Sequence, residues 1–194
     1  MTGYDARTAL IVVDVQNDFA DPKGSLYVTE GEQVVDIANL EVAKATAAGA
    51  LVVYTQDWHP EHTPHFAKDG GIWPNHCVQD TWGAEFHPDL AVAGQILRKG
   101  GDGRDGYSGF SVRDPESGET SPTALEGMLR ERGIERLVVC GLATDYCVVE
   151  TVCDARTLGF PVEVLSDGIR AVNLQPDDEE KALQRMRDAG AELT

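Results

Sequence analysis

At 194 residues the chain has the size of one domain over 1–194, able to bury about 70% of the surface its unfolded form exposes, and a second full domain is not expected. With 33 Asp and Glu against 16 Lys and Arg, the net charge of -17 argues against a nucleic-acid or anionic-membrane partner. Four scattered cysteines read as reduced thiols, Met1-Thr2-Gly3-Tyr4-Asp5 carries no leader pattern, and no apolar run is long enough to span a bilayer, so a cytoplasmic protein is expected.

In chain order, short β-branched runs alternate with longer helical patterns. Strands are predicted over 9–13, 50–55, 95–97, 137–140 and 162–165, with a short sixth strand over 191–194. Helices are predicted over 33–48, 123–132, 145–158 and 177–189, where Gly49, Gly133, Gly159 and Gly190 act as stop signals. Apolar strands joined by helices imply a mostly parallel sheet of about six strands, covered on both faces in a three-layer α/β/α fold. The irregular stretches 57–89 and 100–121 are long for connections, and loops of that length usually serve function.

Ligands of open parallel sheets gather at the carboxyl ends of the strands. Those ends carry Asp14, then Asp57 and His59, then Arg98 and Lys99, then the run from Gly141 to Cys147, then Asp167. Cys147 would sit where a strand turns into a helix start, whose free N–H groups and partial positive charge favour a thiolate and a neighbouring oxyanion. A thiol is mostly protonated at neutral pH and needs a base or a cation beside it, and Asp14 and Lys99 can supply both. Taken singly, Asp14 also reads as a turn-capping carboxylate, Lys99 as a solvated strand end and Cys147 as a small buried hydrophobe.

Asp57-Trp58-His59 places a carboxylate and an imidazole two residues apart, so both point the same way in an extended segment. His65 and His76 follow in the same stretch, and imidazoles with a carboxylate favour zinc, iron or manganese over calcium or magnesium.

Three segments together resemble the isochorismatase-like cysteine hydrolases: Val12-Val13-Asp14-Val15-Gln16-Asn17-Asp18-Phe19, Lys99, and Gly141-Leu142-Ala143-Thr144-Asp145-Tyr146-Cys147-Val148. The match runs in order over nearly the whole chain. It implies an Asp14, Lys99, Cys147 triad, a cis bond between Leu142 and Ala143, and an oxyanion hole from the backbone N–H groups of Ala143 and Cys147. The segment from Asp57-Trp58-His59-Pro60 through His65-Phe66 to Trp73-Pro74-Asn75-His76-Cys77-Val78 resembles the metal loop of nicotinamidases, which many members of the superfamily lack. By that resemblance Asp57, His59 and His76 hold one divalent metal, zinc first with iron or manganese as alternatives, and His65 matches a fourth ligand found in some members. Phe19, Trp73, Tyr107 and Leu142 match substrate-binding positions around a pyridine ring. His62 and His87 match no ligand position, and Cys77 reads as a buried side chain.

The resemblance implies hydrolysis of nicotinamide to nicotinic acid and ammonia, and of pyrazinamide to pyrazinoic acid, through a thioester on Cys147, a step of NAD salvage. Assembly as a homo-oligomer stays open, with no interface legible, and the effect of the glycine-rich link 100–106 on the pocket stays open too. One alternative is an amidase with the same triad acting on a carbamoyl or ureido substrate. Another is a non-catalytic redox or metal-storing module, although six residues of helix put Cys147 and Cys153 on different faces and nearly two turns apart, which disfavours a disulfide.

Overall fold

The computed structural model describes residues 3–194, so Met1 and Thr2 of the N-terminal stretch lie outside it. The chain begins with β1 (Thr8–Val13), a short α1 (Asn17–Ala20), α2 (Gln33–Ala47), β2 (Leu51–Asp57) and β3 (Gln95–Lys99). It continues through a small hairpin of β4 (Ser111–Arg113) and β5 (Thr120–Pro122) to α3 (Leu125–Glu131), β6 (Arg136–Leu142) and a π-type turn over Thr144–Val148. It closes with α4 (Val149–Thr157), β7 (Val162–Arg170), α5 (Asp178–Asp188) and β8 (Glu192–Leu193).

Six strands form one sheet in the order β3-β2-β1-β6-β7-β8, every pair parallel. β1 is buried along its whole length, which is why it reads as a continuous apolar run. Alternation splits the sheet residues between two cores. Leu10, Val12, Val52 and Tyr54 pack with α1 and α2, whereas Ile11, Val13, Val53 and Leu97 pack with α3, α4 and α5. The result is the three-layer α/β/α architecture expected from the sequence.

Three departures bear on the site. β2 and β3 run two residues further than the β-branched runs suggest, so Asp57 and Lys99 are strand residues and register partners rather than loop residues. β7 likewise continues to Arg170, past a register shift opposite Val139 and Gly141, and leaves Asp167 exposed on the strand instead of at the cleft. The helix expected over 145–158 opens with the π-type turn, and α4 proper starts at Val149.

At the end of β1 the chain turns sharply, with Asp14 at a φ of 47°. Beside it Gly141 has a φ of 127°, and any Cβ there would collide with the Val13 carbonyl. Glycine thus lets β6 press against β1 at the point where both strands deliver their residues to the site.

Candidate active site

Period-2 alternation fixes which strand-end residues can meet. Val53, Thr55 and Asp57 share one face of β2, and Leu97 and Lys99 share the same face of β3, the side on which Cys147 packs. There Lys99 Nζ lies 2.7 Å from Asp14 Oδ2, 2.6 Å from Asp57 Oδ1 and 3.5 Å from Cys147 Sγ. Asp14, Lys99 and Cys147 are all buried, so one ammonium is held by two carboxylates and faces a thiol away from water.

Burial pushes the Cys147 thiol well above its ordinary range; Lys99 opposes this, while Asp14 and Asp57 add to it. Burial, with Asp57 alongside, also raises Asp14 against the pull of Lys99. For Asp57 burial acts the other way from its neighbours, and Lys99, His59 and His76 together hold its carboxyl well below the usual range. Lys99 is raised well above its ordinary value because the attraction of Asp14 and Asp57 outweighs desolvation. At rest the thiol is therefore protonated beside a carboxylate of raised basicity, whose Oδ2 is paired with Lys99. That is the arrangement a proton transfer from sulfur to Asp14 needs.

The histidines come from the loop after β2. His59, His65 and His76 are buried, with ring nitrogens within 4.8 Å of one another. Asp57 Oδ2 lies 3.5 Å from His59 Nε2 and 3.9 Å from His76 Nε2. His59 is hydrogen-bonded through neither nitrogen. His76 Nδ1 is paired with the Pro74 carbonyl at 2.8 Å and His65 Nδ1 with Asp105 Oδ1 at 2.8 Å, which turns each Nε2 free as an acceptor. Burial, with His59 and His65 close by, pulls His76 down to about 4 against the opposing influence of Asp57, so its ring is neutral at pH 7. A neutral His76 ring, two further buried imidazoles, a firmly ionised carboxylate and an orphaned buried nitrogen are a donor set that suits a divalent metal. His65 belongs to this cluster as fully as the other two rings. His62 is instead exposed beside Asp69 and Lys68, and His87 contacts Asp89 at 3.9 Å.

One cavity joins the two groups. Its lining includes Phe19, Trp73, Tyr107 and Tyr146 together with Asp57, the three histidines, Ala143 and Cys147. Trp73 Nε1 donates to the Tyr107 hydroxyl at 2.8 Å and its ring meets Tyr146 edge-on at 4.8 Å, while Phe19 lies 5.5 Å from the His76 ring. Leu142 does not wall this cavity: strand alternation turns its side chain into the α2-side core with Leu10 and Val12, and the neighbouring Ala143 lines the site instead. The Leu142–Ala143 peptide is cis, and both Ala143 and Cys147 border the cavity.

Several supporting residues were not legible in the sequence. Gln16 donates to the Asp57 carbonyl and accepts from the Asp57 N–H, both at 2.8 Å, and its amide also holds the Ala84 carbonyl at 2.8 Å. Asp18 accepts the Cys77 N–H at 2.7 Å and the Ser25 N–H at 3.0 Å, so it pins the residue next to His76. Gly83 lies so close to the Asp18 carboxylate that a Cβ would overlap it. The link 100–106 is tied down as well: Gly101 and Gly103 carbonyls accept from Gln79 and Thr63, and Asp105 pairs through its backbone with Arg113 before reaching His65. Cys77 is fully buried, as read from the sequence.

The sequence matches the isochorismatase domain over residues 8–194. It is 41% identical to the nicotinamidase of Escherichia coli strain K12, with 95% of this chain and 93% of that one aligned. The pyrazinamidase of Pyrococcus horikoshii, solved in complex with zinc, superposes with a TM-score of 0.85 at 42% identity, covering 97% of this chain and 98% of that one. PnC1 of L. infantum, solved in complex with nicotinate, superposes with a TM-score of 0.88 at 36% identity, covering 100% of this chain and 95% of that one.

Proposed function

The chain belongs to the isochorismatase family, and from that premise we propose that it is a metal-dependent cysteine amidohydrolase, one hydrolase domain over 1–194, that converts nicotinamide to nicotinic acid and ammonia. The observation that carries this reading is the sharing of one aromatic-walled cavity by the buried thiol group and the cluster of Asp57, His59, His65 and His76. A triad alone would serve many amides; a donor cluster facing flat aromatic walls suits a ring that bears its own nitrogen. Pyrazinamide, with the same carboxamide on a diazine ring, is a second substrate.

In this reading Asp14 takes the proton of Cys147 as the sulfur attacks the carboxamide carbon. Lys99, held against both carboxylates, keeps the charge of the pair balanced in a dry site. The oxyanion is received by the backbone N–H groups of Ala143 and Cys147, donors of a kind whose loss typically costs about 100-fold to 1000-fold. Asp14 returns the proton to the leaving ammonia, then deprotonates the water that cleaves the thioester, and the thiol is restored. Phe19, Trp73 and Tyr107 wall the ring and keep bulk water from the thioester. Asp57, His59, His76 and His65 would hold the divalent metal, zinc by preference, and when bound it supplies a Lewis-acidic point that fixes the ring and so the amide.

Ammonia release from nicotinamide by the purified protein, measured before chelation, after it, and after zinc is restored, tests the proposal. Turnover should disappear with the metal and return with it. No turnover of nicotinamide in the metal-replete protein would leave a carbamoyl or ureido amidase with the same triad as the better reading.

A further inference from the structure

Asp14 is held at both carboxylate oxygens, by Thr55 on one and Lys99 on the other. Thr55 Oγ1 donates to Asp14 Oδ1 at 2.7 Å and accepts the Asp14 N–H at 3.2 Å, and Thr55 is itself fully buried. A hydroxyl has a single proton to give, so this one is committed to the carboxylate. The other carboxylate oxygen, Oδ2, is paired with Lys99 Nζ at 2.7 Å.

Thr55 is held in this pose by the fold. Its Cα is the register partner of Val13, the residue before Asp14. Its methyl is packed so closely against Gly109 that a Cβ on that glycine would lie 3.2 Å away, and a β-branched side chain has few alternative rotamers. The carboxylate it holds is otherwise restrained by the ion pair with Lys99, at a residue where the backbone leaves the strand. Released from Thr55, the carboxylate could turn and offer both oxygens to Lys99, leaving none aimed at the thiol.

We propose that Thr55 is a positioning residue for the reaction: by occupying Asp14 Oδ1 it keeps the carboxylate from engaging Lys99 through both oxygens and fixes the orientation in which Oδ2, paired with Lys99, receives the Cys147 proton. The inference rests on the reading of Asp14 as the base. It adds to the three strand-end residues a fourth, which touches no substrate and acts through Asp14.

Thr55→Val keeps the shape and removes the hydroxyl; Thr55→Ser keeps the hydroxyl and removes the methyl. The Val variant should lose about 10-fold to 100-fold in kcat with KM within about twofold of the parent and metal content unchanged, and the Ser variant should keep kcat within about threefold. Alkylation of Cys147 by iodoacetamide should slow in the Val variant and not in the Ser variant. That measurement needs no nicotinamide, so it tests Thr55 even if the parent protein fails to turn nicotinamide over. Parent-like kcat and alkylation in Thr55→Val would overturn the inference. So would equal losses in both variants, which would assign the effect to packing, or a Val variant that does not fold beside a Ser variant that does.

Discussion

The two halves of the cavity are built by different means. The thiol half is an outcome of sheet register: Asp14 follows β1, Lys99 ends β3, Cys147 lies in the turn after β6, and parallel pairing brings all three ends to one edge. The histidine half has no regular scaffold. His59, His65 and His76 ride on a loop held by isolated bridges, His59 to Val78 and Phe66 to Trp73, and by Gln16, Asp18 and Asp105 from outside it. A site can thus be rigid where its residues are strand ends and still depend on individual hydrogen bonds where they are loop residues. Removing a ligand-orienting contact should affect the second half and spare the first.

The largest expected effect lies in the thiol half. Cys147→Ala removes the sulfur proposed as the nucleophile while leaving the histidine cluster untouched, so ammonia release should fall by at least about 1000-fold with stoichiometric metal retained. Colorimetric ammonia detection alongside elemental analysis reads both quantities. Turnover within tenfold of the parent would sink the nucleophile assignment, and metal loss in that variant would mean that the two halves are not separable.

A smaller effect, in the opposite sense, is expected from the histidine half. Asp105 accepts from His65 Nδ1 at 2.8 Å and its own backbone is fixed against Arg113, so it sets the ring that offers Nε2 to the cluster. Partners of this kind typically change metal affinity by about 10-fold to 100-fold. Asp105→Asn should therefore weaken zinc retention by about that factor in a chelator competition, while Cys147 is alkylated at the parent rate. Unchanged retention would remove His65 from the ligand set, leaving Asp57, His59 and His76.

These contrasting designs also explain what could be read from the chain alone. Strand-end residues were legible because one apolar run predicts where the next residue emerges: the run through Val13 delivers Asp14 and the run through Leu97 reaches Lys99. Even there the apolar pattern ends β3 at Leu97, because Arg98 and Lys99 are charged, although Lys99 completes the register with Asp57. The histidines were visible as residue types in a long irregular stretch. Their supports were not, since Gln16 meets Asp57 across 41 positions and Asp105 meets His65 across 40, and no local pattern marks such pairs. Thr55 was hidden for another reason: inside a β-branched strand a threonine looks like a structural choice. Leu142 misled in the reverse direction, being next to a site position in sequence and on the other face of its strand in space.

The smallest effect is expected where the halves meet. Trp73 comes from the histidine loop and Tyr107 from the link after Lys99, and the bond from Trp73 Nε1 to the Tyr107 hydroxyl at 2.8 Å joins the walls on either side of the ring site. Burial, with Asp105 close by, keeps the Tyr107 hydroxyl from ionising against the pull of the Trp73 hydrogen bond, so it stays a neutral acceptor for the indole N–H. A hydrogen bond of this sort contributes about 0.5–1.5 kcal/mol net. Trp73→Phe retains an aromatic wall and loses that bond, so KM for nicotinamide should rise by about 2-fold to 10-fold with kcat within about twofold. Steady-state kinetics at saturating zinc separates the two constants. A fall in kcat with constant KM would mean that this wall shapes the transition state rather than the bound ring, and would tie the loop to the chemistry of the thiol half after all.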